Sequence, residues 1–137
     1  MIVADTGAIV ALLDAGDRQH RILKRHFEAD PGAWLLPWAI LPEVDYLAAT
    51  RLGEGVALAF LADIVDGSFA VEWGDPRDVE RAHQLARRHR GLKLGLVDAV
   101  VMAIAERLRA EAIATLDLRH FSAVEIRGNP SLLPRDL

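Results

Sequence analysis

No cysteine occurs among the 137 residues, which excludes disulfides, thiolate metal sites and thiol nucleophiles and agrees with a reducing cytosolic setting. No apolar run free of charge reaches the roughly 18 residues a membrane span needs. The first strand begins at Met1 or Ile2, leaving no room for a signal peptide, so a cytoplasmic location and no membrane partner are expected. A global basic field is also missing: the net charge is -4, and any attraction to nucleic acid must come from local patches and bound cations. Aromatic residues make up only 6%, and Trp34, Trp38 and Tyr46 are expected as core or dimer contacts rather than base-stacking platforms. Neither a GxxxxGK[ST] loop nor a GxGxxG turn is present, which removes the common nucleotide-binding signatures. The five histidines contain no HExxH, and His20 with His26, like His83 with His89, are six apart and do not share a helix face.

What the chain does contain is the makeup of an ordinary globular protein, 52% apolar and 26% charged, long enough for one domain over residues 1–137 with one substantial core. Met1 to Ala4 reads as a strand closed by Asp5, Thr6 and Gly7, with AIVALL continuing as a helix. An amphipathic helix is expected from Asp17 to Ala29, with Ile22, Leu23, His26 and Phe27 on its apolar stripe and a basic outer face. WLLP from Trp34 is a short buried strand, and Pro42 starts a helix running to about Leu52. VALAFLADIV is another helix, FAVEW from Phe69 a third strand, and Asp75, Pro76 and Asp78 a strong helix start, with that helix ending at Gly91. The helix around Asp98 follows, then the strand EAIAT, then a tail with a last strand near Val124 to Ile126. Strands separated by helices imply a three-layer α/β/α fold on a central parallel sheet of four to five strands, with ligands beyond the strands' carboxyl ends.

Asp98 is the only charged side chain in LGLVDAVVMAIA, a run that otherwise reads as a buried helix. Burying an ionised carboxylate costs several kcal/mol, about 1 to 5 pKa units, unless something compensates it. Its company has the wrong sign, because Asp5 and Asp117 also end apolar runs and Glu43 opens the helix after the second strand. Carboxylates gathered at strand ends repel one another unless a hard divalent cation sits among them. Such a set can fix one or two Mg²⁺ or Mn²⁺ ions for phosphodiester hydrolysis without a side-chain nucleophile. Each acid also has a purely structural reading. Asp5 is placed to cap the first helix, Glu43 to complement the helix dipole, and Asp117 to make a turn or pair with Arg119. For Asp98 the alternative is a core ion pair with an arginine or lysine. Thr6 and Thr115 stand beside two of the acids, as orienters of a carboxylate or water, or as a cap and a strand-forming residue. Asp45 points away from Glu43, His120 reads as structural, and the basic clusters Arg18 to Arg25 and Arg87 to Lys93 are either phosphate contacts or solvated faces.

The segments MIVADTGAIVALLD, LPEVDYL, LGLVDAVVMAIAERL and IATLDLRHFSAV resemble, in order and spacing, the PIN domain, and specifically the VapC-type ribonuclease toxins of toxin–antitoxin pairs. The family's four acidic stations fall here on Asp5, Glu43, Asp98 and Asp117, with Thr115 in the polar position before the fourth. The resemblance implies an endoribonuclease dependent on Mg²⁺ or Mn²⁺ that cuts structured RNA. It also implies a homodimer and a cognate small antitoxin whose tail covers the acidic pocket.

Other acidic-pocket enzymes fit less well. A haloacid-dehalogenase-type phosphatase needs a second Asp two residues after the first, where this chain has Gly7, and a receiver-type domain needs a late lysine where it has Asp117 and Arg119. A catalytically idle PIN-like module that binds RNA or protein, and a housekeeping PIN nuclease outside toxin–antitoxin pairs, remain the alternatives to the toxin.

Overall fold

The first strand, β1 (Ile2–Ala4), is buried along its whole length, as a strand flanked on both sides by others must be. A computed structural model describing residues 1–137 places it at the centre of a five-stranded, wholly parallel sheet. Its neighbours are β2 (Trp34–Pro37) on one side and β4 (Ala112–Ala114) on the other. The edges are β3 (Ala70–Glu72), beside β2, and β5 (Ser131–Leu133), beside β4. The sheet order is therefore β3-β2-β1-β4-β5. Parallel neighbours need crossovers, and the intervening segments supply them as helices, giving the expected three-layer arrangement.

The crossover helices are α1 (Thr6–Leu13), α2 (His20–Ala29), α3 (Leu41–Arg51), α4 (Glu54–Val65), α5 (Pro76–Arg88), α6 (Leu96–Arg107) and the short α7 (Leu118–Ala123). Leu23 is the fully buried anchor of α2, and Phe27 beside it packs edge-on against buried Trp34 with ring centroids 5.5 Å apart. Trp34 is thus a core residue, as expected, whereas Ile22 of the anticipated apolar stripe is exposed. The α2 helix starts three residues later than its periodicity predicts, because the Asp17 carboxylate accepts the Gln19 N–H and closes a turn ahead of it. Val79 of α5 is also exposed, and the apolar residues that this helix buries are Ala82 and Leu85.

One expectation fails outright. Val124 to Ile126 is not a strand; the last strand is Ser131–Leu133, and α7 fills part of the tail. Val124 and Ile126 are buried with exposed Glu125 between them, so the period-2 pattern is real, but it packs on the core without joining the hydrogen-bonded ladder.

The core does hold an arginine–carboxylate pair, but it lies elsewhere than at Asp98. Arg107, at the end of α6, donates through Nε to Asp78 Oδ1 at 2.7 Å, and through Nη2 to Asp78 Oδ2 at 3.0 Å and Glu72 Oε1 at 2.9 Å. Asp78 is only 2% exposed and completes a capping box with Asp75 at the start of α5. The pair ties β3, α5 and α6 together. Arg107→Ala leaves Asp78 buried without its counter-charge and is expected to cost about 3 kcal/mol, seen as a lower urea midpoint at unchanged slope. No helix of the protein is long and apolar enough to cross a membrane.

Candidate metal centre

The sheet order reverses at β1: the chain moves outward to β2 and β3, then returns to β4 on the other side of β1. A crevice opens at the carboxyl ends of strands where such a reversal occurs. Because Ala4 pairs with Ala114, the next residues, Asp5 and Thr115, emerge side by side into it. Both are almost completely buried, and the Thr115 hydroxyl donates to Asp5 Oδ2 at 2.9 Å. The other oxygen, Oδ1, accepts the Thr6 N–H at 2.8 Å at the start of α1. The two readings of Asp5 therefore coexist, since one carboxylate caps α1 and faces the crevice.

Asp117 caps the next helix in the same way, its Oδ1 accepting the His120 N–H at 3.1 Å at the start of α7. The Asp117 N–H donates to Thr115 Oγ1 at 3.0 Å. Thr115 thus links the two acids, donating to one and accepting from the other. Asp98 sits in the first turn of α6, half-buried at the crevice mouth rather than a full turn inside the helix as its run suggests. Glu43 stands in the first turn of α3, exposed and without a hydrogen-bond partner. Asp5, Glu43, Asp98 and Asp117 line one cavity of about 380 Å³, together with Thr6, Asp17 and Arg51. Asp45 does not reach it.

The partner of Asp98 is not an arginine but His120. Its Nδ1 hydrogen-bonds Asp98 Oδ2 at 2.8 Å and stands within ion-pair distance of Asp117 Oδ2, at 2.9 Å. Arg119, the expected companion of Asp117, pairs with nothing. The structural role expected of His120 is thus incomplete; the signal that points to the site is the D-x-x-H spacing at 117–120, which puts the ring of the third helical residue back over its own cap. The hydrogen bond to Asp98 holds the imidazole pKa above its ordinary value.

The electrostatics of the crevice are those of a set short of positive charge. Burial, then the Asp98 charge beside it, push the Asp5 carboxyl up to about 7, against the lowering effect of its Thr115 and Thr6 hydrogen bonds. Burial also raises Asp98, offset by the His120 bond. The Thr6 hydroxyl is buried in the same wall with no hydrogen-bond partner, and a buried polar atom rarely goes unsatisfied. Ligand atoms of Asp98, Asp117 and His120 lie within 4.8 Å of one another. Oxygen donors, excess negative charge and an orphaned hydroxyl together fit a hard divalent cation.

Comparison with known proteins agrees with this fold. Residues 2–126 match the PIN domain family model. Over 127 residues the chain is 30% identical to ribonuclease VapC26 of Mycobacterium tuberculosis, covering 93% of this chain and 94% of the relative. The crystal structure of VapC20 from the same organism, a sarcin-ricin loop cleaving toxin, superposes with a TM-score of 0.81 at 26% identity, covering 93% of this chain and 98% of that one. At 16% identity, VapBC2 of Rickettsia felis, solved bound to a DNA fragment from its promoter, shares the fold with a TM-score of 0.71 over 96% of this chain and 97% of that one. The chain belongs to the PIN-domain family, with VapC-type ribonucleases among its relatives.

Proposed function

We propose that the protein is a metal-dependent endoribonuclease that hydrolyses RNA phosphodiester bonds, acting as the toxin of a type II toxin–antitoxin pair. The observation that carries this reading is the convergence of four acids on one crevice, one of them pushed up to about pKa 7 by burial and then by the Asp98 charge. When bound, a Mg²⁺ or Mn²⁺ ion would supply Lewis-acid polarisation of the phosphate and a bound water more acidic than bulk water. Asp5 and Asp98 are the principal groups to hold it, and Asp117 and Glu43 complete the set or orient the attacking water. Thr115 fixes the free oxygen of Asp5 and the backbone before Asp117 at once, so the two acids keep their spacing as charge accumulates. Thr6 offers its unpaired hydroxyl to the same space. His120 holds a proton at Nδ1 between Asp98 and Asp117 and neutralises part of their charge when the crevice is otherwise empty.

The same reading includes a cognate small antitoxin, a homodimer and a cytoplasmic site of action. Incubating purified protein with total RNA tests the enzymatic part. Discrete cleavage products with Mg²⁺ or Mn²⁺, lost with EDTA and restored by added cation, are expected. Cutting that is indifferent to EDTA would overturn the metal dependence, and a preparation that cuts nothing with either cation would favour the idle-module alternative.

A further inference from the structure

Beside the acidic crevice lies a larger hollow, of about 690 Å³. It lies within the roughly 300–1,000 Å³ range of ligand pockets. The two share Asp17 and Leu116, and Thr115, whose hydroxyl holds Asp5, lines the hollow as well. The crevice and the hollow therefore adjoin along these residues, within reach of one RNA strand.

Its lining combines two chemistries. Ile22, Leu116 and Leu118 are apolar and exposed there, although Leu23, next to Ile22, is fully buried. Arg18 projects from the loop before α2 and forms no ion pair, whereas Arg135 is already taken up by Asp136 at 2.8 Å. The acids of the hollow, Asp14 and Asp17, each accept a backbone N–H, from Gly16 and Gln19. Past Arg18, the outer face of α2 continues with Arg21 and Arg25, and with Lys24 paired to Glu28 at 3.8 Å, around a further hollow. In a chain of net charge -4, this concentrates positive charge on one side of the acidic crevice.

Apolar side chains beside a free guanidinium suit an unstacked base and its phosphate. We propose that this hollow is a subsite for the nucleotide adjoining the scissile phosphate, its base against Ile22, Leu116 and Leu118 and its outer phosphate on Arg18. The inference rests on the nuclease reading above and adds to it where the flanking RNA runs.

Steady-state cleavage of an RNA with a single-stranded loop tests it through Arg18→Ala, Ile22→Ala and their combination. Each single change is expected to raise KM roughly 3- to 10-fold with kcat within about twofold. Arg18→Ala should also flatten the dependence of log(kcat/KM) on log salt by about one unit, and Arg18→Lys should restore most of it. A structural role for Arg18 would not move the salt slope. Independently, RNA carrying 4-thiouridine next to the cleavage site, bound to cleavage-deficient Asp98→Asn protein, should crosslink to peptides containing Ile22 or Leu116. A double variant with wild-type KM and salt slope, in a protein that does cut RNA, overturns the subsite and leaves the nuclease intact, including where a protein partner proves to fill the hollow. Crosslinks that fall only elsewhere overturn it whatever the activity, whereas a wild type inert toward RNA with either cation defeats the nuclease reading itself.

Discussion

Asp98→Asn is expected to slow RNA cleavage by about a thousandfold or more at saturating Mg²⁺ or Mn²⁺, with no loss of folded protein. The substitution keeps the shape of the side chain, and its amide oxygen can still accept from His120 Nδ1, so the α6–α7 contact is preserved. What it removes is one negative charge from the crevice and one hard oxygen donor. Burial raises the pKa of the native carboxyl, so its charge is a cost to the cation-free fold, and the variant should melt at or above the wild-type temperature. Activity and stability therefore move in opposite directions, which a general packing defect does not do. Asp5→Asn is expected to act alike on cleavage. The check is single-turnover cleavage alongside a thermal melt by circular dichroism; wild-type rates in the Asp98→Asn protein would remove the assignment of this residue to the reacting centre.

Much of the architecture could be read from punctuation in the sequence. Apolar runs ending in Asp mark where β1 and β4 leave the sheet, and the Asp75–Pro76–Asp78 start of α5 appears as a full capping box. These signals are local, and local chemistry decides them. Four acids could be suspected of meeting because each lies just beyond a strand or at a helix start, positions that a parallel sheet gathers at one edge. Their partners were less legible, for reasons of distance and crowding. Asp98 and His120 are 22 residues apart, and only the packing of α7 against α6 brings them together. The arginine sought for Asp98 exists as Arg107, but α6 turns it toward Asp78 on the side of the molecule where β3 ends. The last strand was misplaced because Val124 and Ile126 alternate in burial as a strand would, while the true β5 shows only the short motif Ser131–Leu133 between Pro130 and Pro134. Burial periodicity reports which side chains face the core; it does not report which backbone groups find a ladder.

Asp5 gives the second large effect, on stability rather than rate. In the unfolded chain its carboxyl titrates at the ordinary 3.8, and in the folded protein at about 7. An acid whose pKa rises on folding binds its proton more tightly in the native state, so the native state gains stability as pH falls. The cost of the buried charge is fully present above about pH 7, shrinks as pH drops through that value, and is gone below about 4. Across that window the difference is on the order of 4 kcal/mol for a site 5% exposed. His120, with its own raised pKa, adds to the same trend by favouring the protonated crevice at lower pH. In EDTA, wild-type protein should therefore be distinctly more stable at pH 5 than at pH 8, measured by urea unfolding. Asp5→Asn carries no titratable carboxyl, so it should flatten most of that slope and raise the cation-free stability at pH 8. Added Mn²⁺ supplies the missing positive charge and should stabilise the wild type most where Asp5 is ionised, at pH 8, and the Asp5→Asn protein little. A wild type equally stable at both pH values in EDTA, and unaffected by Mn²⁺, would mean that the acids at the end of β1 and in the first turn of α6 do not share one field.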